Sequence, residues 1–324
     1  MANPYYDEET EGMVYLIQPE EDDCDYEDWD MQTISSFSTA PTTSAITSDQ
    51  LGDFFRESHG RTYPLDENLP LTYPADDIEA LRHQMQHQFL KALVHGNYVG
   101  PVREILKPRG DGSRPKILDI RTCDGSWVQE MAVEFPHCDI VSVDIAPIVT
   151  HAPRANVKFE IYDLYPGVAE PDETFDYISC RHVQTHVKEY DRFIFDLYRV
   201  LRPGDWLRPN SPFWAQTGLK YQISSAHVQA ASQGFCHIRK QVVLLPTGTW
   251  HPDPVVKQVG ALITRVWTLA WRQLEPMLVE YGPTQENANK ICKQAMEELS
   301  HPELQCLGKY HMVTATKAMN SGHK

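Results

Sequence analysis

The sequence predicts an α/β fold built as a doubly wound sheet of parallel strands. Three observations carry that expectation. Residues 116–147, KILDIRTCDGSWVQEMAVEFPHCDIVSVDIAP, read as strand, tight loop, helix and strand. Apolar strand-like runs then alternate with helical stretches up to about residue 246, the pattern of successive βαβ units. Three of those runs end in an acid, at Asp119, Asp144 and Asp163. In a doubly wound sheet, ligands bind at the carboxyl ends of the strands.

The chain has 324 residues and 41% hydrophobic content, enough for one large α/β domain or two small ones. Its formal charge of −16 is unevenly spread: residues 1–50 hold thirteen acids and no Lys or Arg, leaving the remainder at −3. A near-neutral body offers no electrostatic footprint for nucleic acid. The seven cysteines are scattered and form no CxxC pair, which argues against zinc and a disulfide framework. No metal site is expected. The acidic N-terminus is not that of a signal peptide. The most apolar stretch, residues 261–271, contains Arg265 and is too short to span a bilayer. The expectation is a soluble, intracellular protein, cytoplasmic or nuclear.

Residues 1–50 combine acids with a Ser/Thr-rich run and predict a disordered tail. Its interrupting residues Tyr15, Leu16, Ile17, Tyr26 and Trp29 make a regulatory protein partner the sharper alternative to a solubilising arm. Residues 51–110 predict a helical cap. Asp76 and Glu79 suggest a capping box, followed by an apolar face of Ile78, Leu81, Met85, Phe89 and Leu93 and a stop at Gly96. His83 and His87 lie four apart and read as a solvated helix face rather than a metal pair.

Residues 111–246 form the predicted core. Lys116–Ile120 is its first strand. Trp127, Val128, Met131, Ala132 and Phe135 recur at helical spacing and Pro136 stops that helix. Further strands are expected at 139–144, 156–161, 175–180 and 241–245, with a helix over 189–201. Residues 205–219 are weakly strand-like. Residues 247–307 break the alternation as a helical insert: Val256, Val259, Ile263, Val266, Trp267, Ala270, Leu274 and Met277 share one face, and Thr284 can cap a second helix. Residues 308–318 return a last strand to the sheet.

The series ILDIxxxxGxW, VSVDIAP, NVKFEIYDL, FDYISCRHV and RVLRPG, with the upstream Gly60-Arg61-Thr62-Tyr63, resembles the class I S-adenosylmethionine-dependent methyltransferases. The helical segments after residue 250 narrow the resemblance to the fungal LaeA-like family. It covers roughly residues 58–318. It implies a seven-stranded Rossmann-like sheet, parallel except for its last-formed strand, and S-adenosyl-L-methionine as cofactor. It also implies roles. Asp119 and the backbone from Arg121 to Gly125 would surround the methionine moiety. Asp144 would hold the ribose, and Asp163 with Leu164 would meet the adenine. Arg181 and His182 would face the cleft, and Tyr63 would close over the cofactor. His182 is the first candidate for a general base toward a small-molecule or protein methyl acceptor.

One departure bears on function. The family pattern has glycine where this chain has Arg121 and Cys123, and again where Asp205 follows Gly204. A Cβ at a left-handed position is strained. Arg121 would either fill the methionine pocket or pair with the cofactor's carboxylate, so weakened cofactor binding is expected. Three readings follow: a working methyltransferase, a regulatory protein on the same fold with an impaired cofactor site, and a nicotinamide-dependent oxidoreductase. The last lacks the G-x-G-x-x-G loop that a pyrophosphate requires. Cys123 has no histidine partner near it in sequence and is not expected to be a nucleophile. Trp127 is expected in the core.

Overall fold

The computed structural model describes residues 3–7, 12–16, 51–65, 73–147, 154–164, 166–183, 186–187, 189–204, 213–219, 233–280 and 282–317. The chain divides into two units, Met1–Ala40 and Pro41–Lys324. In the first, β1 (Asn3–Asp7) and β2 (Gly12–Leu16) pair antiparallel, Asn3 opposite Leu16 and Asp7 opposite Gly12. A hairpin thus occupies the start of the segment expected to be unstructured. Tyr5, Tyr6, Val14 and Tyr15 are strand-favouring residues, which the density of acids around them obscures. Residues 17–50 lie outside the described residues.

The second unit opens with a hairpin of β3 (Phe55–Ser58) and β4 (Arg61–Pro64). Helices α1 (Asp77–Leu93) and α2 (Val102–Ile105) follow. Next come β5 (Lys116–Ile120), α3 (Ser126–Glu134), β6 (Asp139–Asp144), β7 (Val157–Ile161), β8 (Tyr177–Arg181) and α4 (Tyr190–Val200). The chain then runs through β9 (Phe213–Leu219), β10 (Phe235–Pro246), α5 (Pro254–Glu280), α6 (Gln285–Ser300) and β11 (Leu307–Lys317).

Seven strands form one sheet in the order β10-β11-β9-β8-β5-β6-β7. β5 is central, parallel to β6 on one side and β8 on the other. β11 is antiparallel to both β10 and β9, so it alone runs against the rest. The chain leaves β5 toward β6 and β7, then returns to β8 on the opposite side. That reversal opens a crevice at the carboxyl ends of β5 and β8.

Alternation along β5 explains the two sheet faces. Leu118 and Ile120 join the apolar cluster of Phe193, Ile194, Leu197 and Val200 from α4. Ile117 joins Trp127, Val128 and Met131 from α3 and Leu106 after α2. Trp127 is fully buried there, as its spacing predicts. A third cluster joins Met85 and Phe89 of α1 to Ile263 and Val266 of α5, over Leu245 and Tyr310. The insert is therefore packed against the cap helix as well as the sheet.

Helix α1 departs from the sequence reading. Asp76 is its N-cap, accepting from the Ile78 and Glu79 backbone N–H groups at 3.1 Å each. Ile78 and Leu81, expected on the apolar face, are each 46% exposed. Glu79, Arg82, His83 and His87 are buried instead. His83 and His87 thus line an interior face, not a solvated one. The face can be buried because its polar groups satisfy one another: Glu79 accepts from Arg82 Nε at 2.7 Å and Nη2 at 2.6 Å. Among the described residues no helix is long and apolar enough to cross a membrane.

Candidate functional site

The loop after β5 keeps the backbone of a glycine loop with glycine at only one of its three left-handed positions. Arg121 has φ 72°, Cys123 φ 55° and Gly125 φ 77°. The first two are left-handed positions that cost a non-glycine residue about 1–2 kcal/mol each. The loop is pinned in that shape. The Arg121 and Thr122 N–H groups donate to the Val143 carbonyl at 2.8 and 3.2 Å, and the Cys123 N–H to Asp144 Oδ2 at 3.1 Å.

Asp119 is fully buried on the α3 side of β5. One carboxylate oxygen accepts from Ser142 Oγ at 2.7 Å; the other has no partner. Burial pushes its pKa up to about 6, against the pull of Arg181. Asp144 accepts from the Cys123 and Ile145 backbone N–H groups, and burial raises its pKa, opposed by Arg121. Burial pushes the Cys123 thiol up to about 12, which suits packing and not nucleophilic attack.

The remaining expected residues fall around this loop to different degrees. Arg181 ends β8, its guanidinium 5.0 Å from the centre of the Trp127 ring and 3.4 Å from His87 Nδ1. Asp163 and Leu164 follow β7 half-buried, Leu164 packed on the α4-side cluster. Tyr63 lies buried on β4 beneath Arg56, whose guanidinium is 5.2 Å from its ring centre. The Thr62 carbonyl accepts the Ala75 N–H at 2.7 Å, which ties this hairpin to the entry of α1. Asp205 lies outside the described residues.

His182 is buried rather than solvent-facing. Both ring nitrogens are engaged: Nδ1 lies 3.3 Å from Gln86 Nε2, and Nε2 lies 3.0 Å from the Tyr310 hydroxyl. Burial, then Arg121 and Arg82, hold its pKa well below 6.5. The ring is neutral and, beside two guanidinium groups, holds an extra proton poorly.

Beside His182 lies a cavity of about 90 Å³. Phe89, Ile263, Val266 and Trp267 supply its apolar wall, and Arg82, Gln86, Arg121, His182 and Tyr310 its polar end. Sequence reasoning missed Gln86, Arg82 and Tyr310 as site residues. Tyr310 is 128 positions from His182, and no local spacing could join them. The strand periodicity at 310–315 did locate its element.

Fold and site together define a methyltransferase-type α/β domain: seven strands with only the last-formed one reversed, and a strand–loop–helix unit with buried acids at the switch point. A family model described as a methyltransferase domain matches residues 81–231. The chain is similar to "Methyltransferase pytC" of Aspergillus terreus, 28% identical over 263 residues, covering 72% of this chain and 78% of that one. It is also similar to "Secondary metabolism regulator laeA" of Coprinopsis cinerea, 29% identical over 150 residues, covering 46% of this chain and 37% of that one. The resemblance to the fungal LaeA-like methyltransferases therefore stands. Among solved structures, phosphoethanolamine N-methyltransferase 2 of Haemonchus contortus aligns at TM-score 0.40 and 14% identity, covering 84% of this chain and 72% of that one. A likeness so distant adds nothing to the topology above.

Proposed function

We propose that this chain is an S-adenosylmethionine-dependent methyltransferase acting on a small, largely apolar acceptor. The observation that carries the reading is the cavity at the switch point, closed by α1 and α5 and bordered by the Arg121 loop. The donor set fits the cofactor. The unpartnered Asp119 oxygen suits an amino group; of two further acids, Asp144 ends β6 and Asp163 follows β7. Asp144 would hold the ribose, Asp163 and Leu164 the adenine edge, and Tyr63 would cover the nucleoside. Arg181 would border the methionine end. When bound, S-adenosylmethionine supplies an electrophilic methyl group. The protein's own work is mostly alignment of the acceptor and exclusion of water. Tyr310, bonded to His182, presents its hydroxyl to the acceptor, and His182, held in turn by Gln86, serves to orient that hydroxyl.

A second reading is a regulatory protein on this fold with weak cofactor binding. Its specific support is the pair of left-handed non-glycine residues, Arg121 and Cys123. Calorimetric titration with S-adenosylmethionine, S-adenosylhomocysteine and adenosine separates the two. Binding that Asp144→Ala weakens by tenfold or more supports the enzyme. Absence of binding by wild-type protein supports the regulator.

A further inference from the structure

Resting on the reading of the cavity as an acceptor site, we propose that the acceptor is a planar, apolar carboxylic acid whose carboxylate seats on Arg121. Arg121 is 8% exposed and lines the cavity. Its Nη1 donates to the His182 carbonyl at 2.9 Å, and its Nη2 lies 3.3 Å from His83 Nε2. Both partners are uncharged, because burial, opposed by Glu79, lowers the His83 pKa to about 4. A guanidinium carries five N–H donors, so donors remain for a ligand.

Charge matching around the cavity points the same way. Arg82, the other cation of the wall, is matched by a two-pronged pair with Glu79. Among the described residues Arg121 forms no ion pair with a carboxylate. Asp144 acts on it from a distance and already accepts two backbone N–H groups. A buried cation without an anion is costly, and the planar guanidinium fork matches a carboxylate in shape. The apolar wall of Phe89, Ile263, Val266 and Trp267 faces the rest of the ligand. The glycine that Arg121 replaces could supply none of this.

The reaction then needs no base. A carboxylate oxygen forms the bond to the methyl carbon, the methyl–sulfur bond breaks with its electron pair left on sulfur, and no proton is released. The products are a methyl ester and a neutral thioether. This agrees with a His182 whose two ring nitrogens are already occupied.

The test compares 2-naphthoate with 2-naphthamide by calorimetry, on the full chain with saturating S-adenosylhomocysteine, after a titration of S-adenosylhomocysteine alone. Wild-type protein is expected to prefer the acid by about tenfold to a hundredfold, the span of one or two charge-assisted hydrogen bonds. Arg121→Gln should erase the preference and leave S-adenosylhomocysteine binding within a few-fold (about threefold); Arg121→Lys should keep part of it. Equal affinity for acid and amide in wild type, binding of neither, or a preference that survives Arg121→Gln overturns the proposal. So does a loss of S-adenosylhomocysteine affinity in Arg121→Gln with adenosine unchanged, which would assign Arg121 to the cofactor. Preference for the acid without S-adenosylhomocysteine binding would keep the anion site and overturn the methyltransferase reading instead. The wild-type comparison decides even if Arg121→Gln does not fold.

Discussion

The Tyr310 hydroxyl lies 3.0 Å from His182 Nε2, so the last strand of the sheet is bonded to the loop that follows its fourth parallel strand, β8. Gln86 of α1 holds the other ring nitrogen. Sheet, loop and cap helix therefore meet at one imidazole. Tyr310→Phe removes one partner and leaves a buried ring nitrogen unsatisfied. The expected cost is about 1–3 kcal/mol, read as a lower midpoint in urea denaturation. Affinity for S-adenosylhomocysteine should be unchanged. A midpoint within error of wild type would show that the contact contributes nothing.

The paired charges of α1 give a second expectation. Glu79 is 1% exposed and holds Arg82 through two hydrogen bonds. Its carboxyl is held below the usual range by His83 and Arg82, against burial. Glu79→Gln strands a buried guanidinium and should cost about 3–5 kcal/mol. The double variant Glu79→Met with Arg82→Met should recover most of that loss. A double variant as unstable as the single one would mean that the pair is not the unit of stability.

Stability should fall on acidification between pH 6.5 and 4. His83 titrates at about 4 in the folded protein, and His182 and His186 well below 6.5. In that window the unfolded chain binds protons that these folded histidines exclude, so stability rises with pH. For His83 the effect is about 3 kcal/mol. Asp119, raised to about 6, works in the opposite direction by a similar amount: its penalty at neutral pH is relieved as pH falls. Asp119→Asn should therefore stabilise the protein at pH 7 and steepen its acid-side loss. Melting temperatures from pH 7 to 4 check both; a flat profile in Asp119→Asn, where the opposing carboxyl is gone, would refute the neutral-histidine assignment.

For the loop, the double variant Arg121→Gly with Cys123→Gly should bind S-adenosylhomocysteine about tenfold more tightly, worth about 1.4 kcal/mol. Its affinity for adenosine should not change. Gain is expected because glycine lets the backbone approach the methionine moiety more closely. Weaker S-adenosylhomocysteine binding in this variant would show that Arg121 holds the cofactor's carboxylate.

Much of the sheet follows from local rules. The apolar run at 116–120, the alternation at 139–144 and the helical spacing of Trp127, Val128 and Met131 place their elements within a residue of those observed. The strand expected over 241–245 is longer, Phe235–Pro246, because its pairing with β11 extends to the Lys317 end, where polar residues such as Arg239 and Lys240 disguise it. The buried face of α1 was misread from the spacing of Ile78 and Leu81, since which face a helix buries depends on what lies opposite. Here the opposite surface is the polar crevice of the sheet.

The sequence by itself determined the order of strands and helices over residues 116–201, the three strand-end acids and the absence of two glycines from the loop, because each is a property of neighbours along the chain. Only the tertiary structure decided that Arg82, Gln86, Arg121, His182 and Tyr310 share one cavity. It also decided that the Arg121 guanidinium reaches the His182 carbonyl and the His83 ring. Those groups come from α1, two loops and the last strand. Their meeting depends on the sheet reversing direction at β5 and on α1 and α5 packing over it, which no spacing within a single segment encodes.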